Sequence, residues 1–361
     1  MRLGIIGLPQ SGKTTLFNAL TRGNRPVGQM TSGGRFEVQT AVVSVPDPRV
    51  DKLSAMFKPK KTIYAQVTYA DIAGLEAESD SEKSGFSGPL LNQLNTMEAF
   101  LHVVRAFEEP TVPHPAGLVN PERDIATVDG ELLLNDMLAV ERKLERLNDE
   151  AKKGSIKDKS LHSQELVVFT KLQEALAAEK PLRDLELNPA EEKLLASFGL
   201  LTRKPILVVF NTGEEKLDSK LLAAHPGAVA LQGKLEMEIA QLSPEEAAEF
   251  LKEYGIEEPS LNRMIKLSYD LLGRQSFFTV GEDEVRAWTV SRGATAPEAA
   301  GEIHTDLQKG FIRAEVVSYT ELMTLGSYVE VKAKGKLRLE GKDYLVKDGD
   351  ILNIRFSPPG K

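Results

Sequence analysis

Gly7, Gly12, Lys13 and Thr14 stand in the run GLPQSGKT, residues 7–14, at the spacing G-x-x-x-x-G-K-S/T. That spacing suits a phosphate grip. Glycines let backbone N–H groups approach a polyphosphate without a Cβ in the way. A helix starting at the end of the loop adds a favourable dipole. Lys13 is placed to reach the β- and γ-phosphates, and the Thr14 hydroxyl to hold Mg²⁺. The rest of the loop, Pro9, Gln10 and Ser11, with Thr15 behind it, is expected to line the nucleotide. An ordinary glycine turn is the competing explanation. It accounts for neither the lysine nor the threonine.

A second acidic site follows. Residues 62–70 alternate and are rich in β-branched and aromatic types, which predicts one strand running into Asp71-Ile72-Ala73-Gly74. An aspartate at a strand end, followed three residues later by glycine, fits a metal's outer shell (Asp71) and a γ-phosphate contact (the Gly74 N–H). Leu75 stands where many GTPases carry a water-orienting glutamine, a task leucine cannot perform. A third site is Asn211-Thr212-Gly213-Glu214, after the buried-type strand 206–210. Guanine readers carry N-K-x-D here. Glu214 displaces the acceptor pair by a methylene, which weakens guanine selectivity and makes adenine reading through Asn211 plausible. A last base-side loop is expected at Gln232-Gly233-Lys234.

These groups need a scaffold. Residues 2–6 predict a buried first strand and residues 15–20 the start of a helix, so the chain reads as α/β. Residues 21–40 and 76–90 read as loops where two switches are expected. Thr31 and Thr40 are candidate metal or γ-phosphate contacts, with a solvated threonine preferred for each. Leu91, Leu94, Met97, Leu101 and Val104 form a helix-like stripe passing into a strand, and His102 reads as a core-edge histidine. From about Asp129, Leu133, Met137, Val140, Leu144 and Leu147 make a heptad seam, and Leu166, Phe169, Leu172 and Leu176 a second one. An antiparallel coiled-coil hairpin is expected. Residues 277–361 alternate strands with a helix opening at Ala296-Pro297, a small α+β outline. In it Lys332, Lys334, Lys336 and Arg338 fall at spacing two, which on an extended strand shares one face and could meet RNA phosphates. Lysines guarding a strand edge are the competing explanation.

The totals limit the classes. With 361 residues, two or three domains are expected. Net charge is −8, which argues against general nucleic-acid coating and polybasic membrane binding. There are no cysteines, hence no disulfide, thiolate nucleophile or cysteine-bound zinc. The first apolar run breaks at Pro9, and no run reaches the roughly 18 residues of a membrane span. A cytoplasmic protein without a membrane partner is expected; the oligomeric state stays open.

The chain resembles the YchF, or Obg-like ATPase, family over nearly its whole length. The resemblance rests on GLPQSGKTT at 7–15, VPDPR at 45–49, DIAGL at 71–75, HVVRAFE at 102–108, NTGEE at 211–215 and KLEMEI at 234–239. Longer still are EVRAWTVSRGATAPEAAGEIHTDLQKGFIRAEV at 284–316 and EGKDYLVKDGD at 340–350. It implies a P-loop domain (1–128 and 200–276), a coiled-coil insertion (129–199) and a C-terminal ubiquitin-like TGS domain (277–361). It also implies ATP preferred over GTP through Asn-x-x-Glu, a hydrophobic residue for the catalytic glutamine, and association with ribosomes. The family's P-N-x-G-K-S-T is here Pro9-Gln10-Ser11-Gly12-Lys13-Thr14-Thr15, and both switch segments depart from its pattern. The phosphate grip is kept while the γ-phosphate sensors differ. Two functions follow: a Mg²⁺-dependent triphosphatase with ATP preferred over GTP, or a ribosome- or RNA-binding module in which the nucleotide is sensed or structural and hydrolysis is lost; a GTP-binding protein is the remaining alternative.

Overall fold

Short apolar runs separated by amphipathic helices build the first sheet. In the computed structural model, which describes residues 1–23, 38–72, 86, 88–215, 217–254 and 256–357, the strands are β1 (Arg2–Ile6), β2 (Gln39–Ser44), β3 (Lys61–Ile63), β4 (Gln66–Asp71), β5 (Ala99–Ala106), β6 (Ile206–Thr212), β7 (Val229–Leu231), β8 (Arg274–Val280), β9 (Glu284–Ser291), β10 (Phe311–Ser318), β11 (Arg338–Glu340) and β12 (Asp350–Phe356). One sheet has the order β2-β4-β1-β5-β6-β7. Its pairs β1–β4, β1–β5, β5–β6 and β6–β7 are all parallel. Seven of the eight β5 residues are buried, the signature of a strand covered on both faces. The order reverses at β1, so the crevice past its carboxyl end is the switch point where ligands bind in such sheets.

The helices include α1 (Lys13–Thr21), α2 (Pro48–Phe57), α3 (Gly88–Asn95), α4 (Pro121–Lys152) and α5 (Lys159–Ala177). Two expectations need correction. Residues 62–70 are two strands, β3 and β4, in different sheets. The stripe from Leu91 breaks at Asn95, and Leu101 and Val104 lie in β5. The break is enforced by Lys204, whose ammonium donates to the carbonyls of Leu94, Asn95 and Met97 at 2.6–2.9 Å, closing the end of α3.

α4 begins at Pro121, capped by Asn120, eight residues before the texture changes. Its first turns pack on the sheet through Ile125 and Val128. Further along, Val140 and Leu144 meet Phe169, Leu172 and Leu176 of α5, as the second seam requires. Between the two regimes Leu132 and Asp136 are fully buried, not Leu133 and Met137. Asp136 accepts from Leu201 N (2.8 Å), Thr202 N (2.7 Å) and Thr202 Oγ1 (2.6 Å). Lys143 bonds Glu165 across the hairpin at 2.7 Å, between the rings of Phe169 and Phe198. Asp136→Ala is expected to cost about 3 kcal/mol, because three donors lose their acceptor in the interior. The urea midpoint measures it; a shift no larger than that of a surface control would refute the role.

The second sheet is mixed, order β11-β10-β12-β8-β9-β3. β8–β9, β10–β12 and β10–β11 are antiparallel, while β12–β8 and β3–β9 are parallel. Helix Ala296–Ile303, with its Thr295/Glu298 capping box, packs Ala296, Ala299 and Ala300 on Phe277, Val290 and Val316. A mixed sheet covered by a helix is the small α+β outline expected of the C-terminal part. By contacts the chain forms two units: 1–41 with 68–261, and 42–67 with 262–361. The segment 42–67 thus belongs with the C-terminal sheet. Arg49 fixes it there, held by Asp47 and, at 2.6 Å, by Asp348, with its guanidinium 5.0 Å over the Phe278 ring.

Candidate nucleotide site

The loop 7–14 runs from the end of β1 into α1. Gly7 has φ +146°, and a Cβ there would lie 2.3 Å from the Val103 carbonyl oxygen, so the loop lies directly against β5. Gly12 is the N-cap of α1 at φ +98°. It offers no side-chain cap, and the first N–H groups of α1 have no acceptor within the helix. Gln10 also has a positive φ, +61°, with an exposed side chain. Lys13 is buried, its ammonium donating to Gly7 O (3.0 Å) and Leu8 O (2.8 Å). Thr14 Oγ1 donates to Asp71 Oδ2 at 3.2 Å, joining the two expected metal groups from loop and strand end.

Asn211, expected at the base, also bridges two loops. Its Nδ2 donates to Ser11 O (3.0 Å) and its Oδ1 accepts from Gly233 N (2.9 Å). Both ends of the buried amide are engaged, so Asn211 ties the phosphate loop to the base-side loop. Glu214 lies exposed beyond the end of β6. Gln232 precedes helix Gly233–Gln241 as its N-cap, and Gly233 is buried. Pro9 and Thr15 lie on either side of the grip, Thr15 buried.

The floor is His102 in β5, 1% exposed. Burial, reinforced by the nearby positive charges of Lys13 and Arg183, pushes its imidazole down to about 3, so it is neutral. The core-edge assignment of this histidine understates its burial. Sequence reasoning passed over Arg105 and Phe107. Arg105 donates to Phe107 O (3.1 Å) and Val112 O (2.7 Å) and stacks 4.5 Å over the Phe107 ring. A Cβ on Gly213 would sit 3.4 Å from Phe107 Cβ, which puts Phe107 beside the 211–214 turn. The signal available was the HVVRAFE run at 102–108. The loop after it is tied back by His114, whose Nε2 meets Asp124 Oδ2 at 2.8 Å while Nδ1 accepts from Ala116 N.

A Mg²⁺–triphosphate fits this donor set. The Thr14 hydroxyl and Asp71 carboxylate are hard oxygen ligands side by side. Ser11 Oγ is buried with no hydrogen-bond partner among the described residues, and Lys13 supplies positive charge. Gly74, Leu75 and Thr31 lie outside the described residues. Thr40 is exposed in β2.

Lys332, Lys334, Lys336 and Arg338 do not share a strand face. Ser327 caps a helix, Tyr328–Ala333, that carries Lys332; Lys334 is its C-cap and Lys336 lies past the turn, before β11. Only Arg338 is in a strand, β11, and it pairs with Glu340 and Asp350. Lys336 pairs with Glu321 at 3.5 Å. The period-two charges do not share a face because the Ser327 cap starts a helix there.

A parallel sheet with a G-x-x-x-x-G-K-T loop at its switch point, and an aspartate bonded to the loop threonine, defines a P-loop nucleotide-binding protein. Residues 2–143 match the family model described as 50S ribosome-binding GTPase. Residues 274–357 match the YchF GTPase C-terminal model, described as a protein of unknown function. The chain is 40% identical to the ribosome-binding ATPase YchF of Bacillus subtilis, with 98% of each chain covered. It is 41% identical to that of Haemophilus influenzae, with 99% of each covered. The Schizosaccharomyces pombe YchF GTPase structure superposes with a TM-score of 0.85 at 30% identity, over 98% of this chain and 97% of that one. The chain belongs to the YchF family. Among the described residues no helix is long and apolar enough to cross a membrane.

Proposed function

We propose that the protein is a Mg²⁺-dependent nucleoside triphosphatase that prefers ATP to GTP and works in the cytoplasm in association with ribosomes. The observation that carries it is the Thr14–Asp71 hydrogen bond beside the buried Lys13. Bound Mg²⁺ would neutralise charge developing on the phosphate oxygens. Lys13 exchanges its loop carbonyls for the β- and γ-phosphates. The N–H groups of α1 orient the chain of phosphates, and Asn211 keeps the base-side loop in register with them. Adenine preference rests on Glu214 in place of the guanine-reading aspartate. Ribosome association rests on the printed names of the relatives.

A second reading keeps the binding and drops the hydrolysis; Leu75 favours it, since it leaves the attacking water unoriented. Phosphate release by wild type and by Lys13→Ala separates the two, with a loss of at least about 100-fold expected from removing two charge-assisted contacts. Equal release from both proteins would leave only the binding reading. Calorimetric titration with non-hydrolysable ATP and GTP analogues tests the base; tenfold tighter GTP binding would overturn the adenine preference.

A further inference from the structure

The helical insertion is bound to the nucleotide fold where the chain leaves it. Residues 199–204 form this exit and run into β6. On one side they are held by α4, where Asp136 accepts from Leu201 N, Thr202 N and Thr202 Oγ1. On the other side they hold α3. Lys204 donates to the carbonyls of Leu94, Asn95 and Met97. Gly199 lies so close to the Asn95 carboxamide that a Cβ would strike it. One short segment therefore joins a carboxylate clamp on the insertion to an ammonium clamp on α3.

The apolar packing follows the same line. Ile72, next to Asp71, shares a core cluster with Leu90 of α3, Leu132 of α4 and Leu201 of the exit. Ile6, where β1 enters the phosphate loop, belongs to it too. Among the described residues, α3 is the first helix after Asp71. A contiguous packed path thus runs from the metal-binding strand end to the root of the hairpin. Fixing a helix end through Lys204 has a cost. Its ammonium is half-buried beside the Phe100 ring and forms no ion pair among the described residues. Burial pushes it down to about 8, against the opposing charge of Asp136. An apolar side chain would avoid that desolvation. What the charge adds is a short, directed contact to all three carbonyls at once.

We propose that Lys204 is a positioning residue that makes α3 and the root of the α4–α5 insertion move as one body, so that a triphosphate held at Lys13, Thr14 and Asp71 is felt along the hairpin. By linkage, a protein partner that grips the hairpin changes nucleotide affinity by the same factor. The inference rests on the nucleotide-binding part of the proposed function and does not need hydrolysis.

Amide hydrogen exchange on the full-length protein tests it, with and without Mg²⁺ and a non-hydrolysable ATP analogue. In wild type the analogue slows exchange at residues 7–20, and by at least about fivefold at residues 133–147 and 196–204, which lie outside the nucleotide site. In Lys204→Met the slowing at 7–20 is kept, while that at 133–147 and 196–204 falls below about twofold. A merely structural role would speed exchange alike with and without nucleotide and leave the ratio unchanged. Gly199→Ala wedges the exit away from Asn95 with every charge in place and loses the same response. It decides the matter if Lys204→Met does not fold. Lys171→Met, which breaks the Glu191 contact inside the insertion, keeps the response. Slowing confined to 7–20 in wild type, an unchanged response in Lys204→Met, or an equal loss in Lys171→Met would each overturn this inference alone. No slowing at 7–20 would overturn nucleotide binding itself, and this inference with it.

Discussion

Gly12→Ala is expected to abolish nucleotide binding in a chain that remains folded. An alanine Cβ would fall 2.0 Å from Asn211 Nδ2. That nitrogen cannot swing aside freely, because the amide is buried and bonded at both ends, to Ser11 O and from Gly233 N. The φ of +98° adds strain of about 1–2 kcal/mol for a residue with a Cβ. Displacing the amide leaves two buried backbone groups unsatisfied, about 1–3 kcal/mol each. A loop that shifts to relieve these costs no longer presents its N–H groups to the phosphates, for an expected affinity loss on the order of 10³ or more. Asn211→Ala relieves the clash and orphans the same two groups. The double variant should therefore bind no worse than Asn211→Ala alone, a large departure from additivity. Additive losses in calorimetry would mean that Asn211 does not transmit the effect of Gly12.

The second large effect is acid lability from His102. Its folded-state value of about 3 lies below the 6.5 of a free imidazole. Between those values the unfolded chain binds a proton that the folded chain refuses. Stability is therefore full above pH 6.5 and falls as pH drops through the window toward 3, by up to about 1.4 kcal/mol per unit. Near pH 5 the loss is about 2 kcal/mol. His102 Nδ1 has no partner among the described residues, so an apolar residue of similar volume loses no hydrogen bond at that nitrogen. His102→Leu should match wild type near pH 8 and be the more stable protein at pH 5. Urea midpoints at the two pH values decide; parallel declines would show that another group carries the acid sensitivity.

Much of the site was legible because its chemistry is local. Gly7, Gly12, Lys13 and Thr14 are fixed by one loop, and Asp71 by the end of one strand. Asn211 was recognisable as a site residue, but its partners, Ser11 and Gly233, are brought to it by sheet order, which spacing cannot reveal. The same limit applied to Phe107 and its brace Arg105. At Lys332–Arg338 a period-two charge pattern was read as a strand, and the Ser327 cap, three residues before Glu330, was the overlooked sign of a helix. In α4 the seam at Leu133 and Met137 was displaced to Leu132 and Asp136 because one helix serves two partners in succession, the sheet and then α5. The strand patterns of β3 and β4 looked continuous, since alternation records a half-buried face and not which sheet owns it.

β3 has a consequence for how the chain is made. Its partner in the C-terminal sheet is β9, with Lys61 beside Glu284, 223 positions later. At translation rates of about 5–20 residues per second, the 42–67 segment emerges about 10–45 seconds before the strand that receives it exists. Through that interval the nascent chain carries an unpaired strand and the apolar side of α2, which includes Val50 and Leu53, both fully buried in the finished molecule. The N-terminal residues therefore cannot complete their folding on the ribosome ahead of the C-terminal sheet. Final assembly waits for synthesis to approach its end.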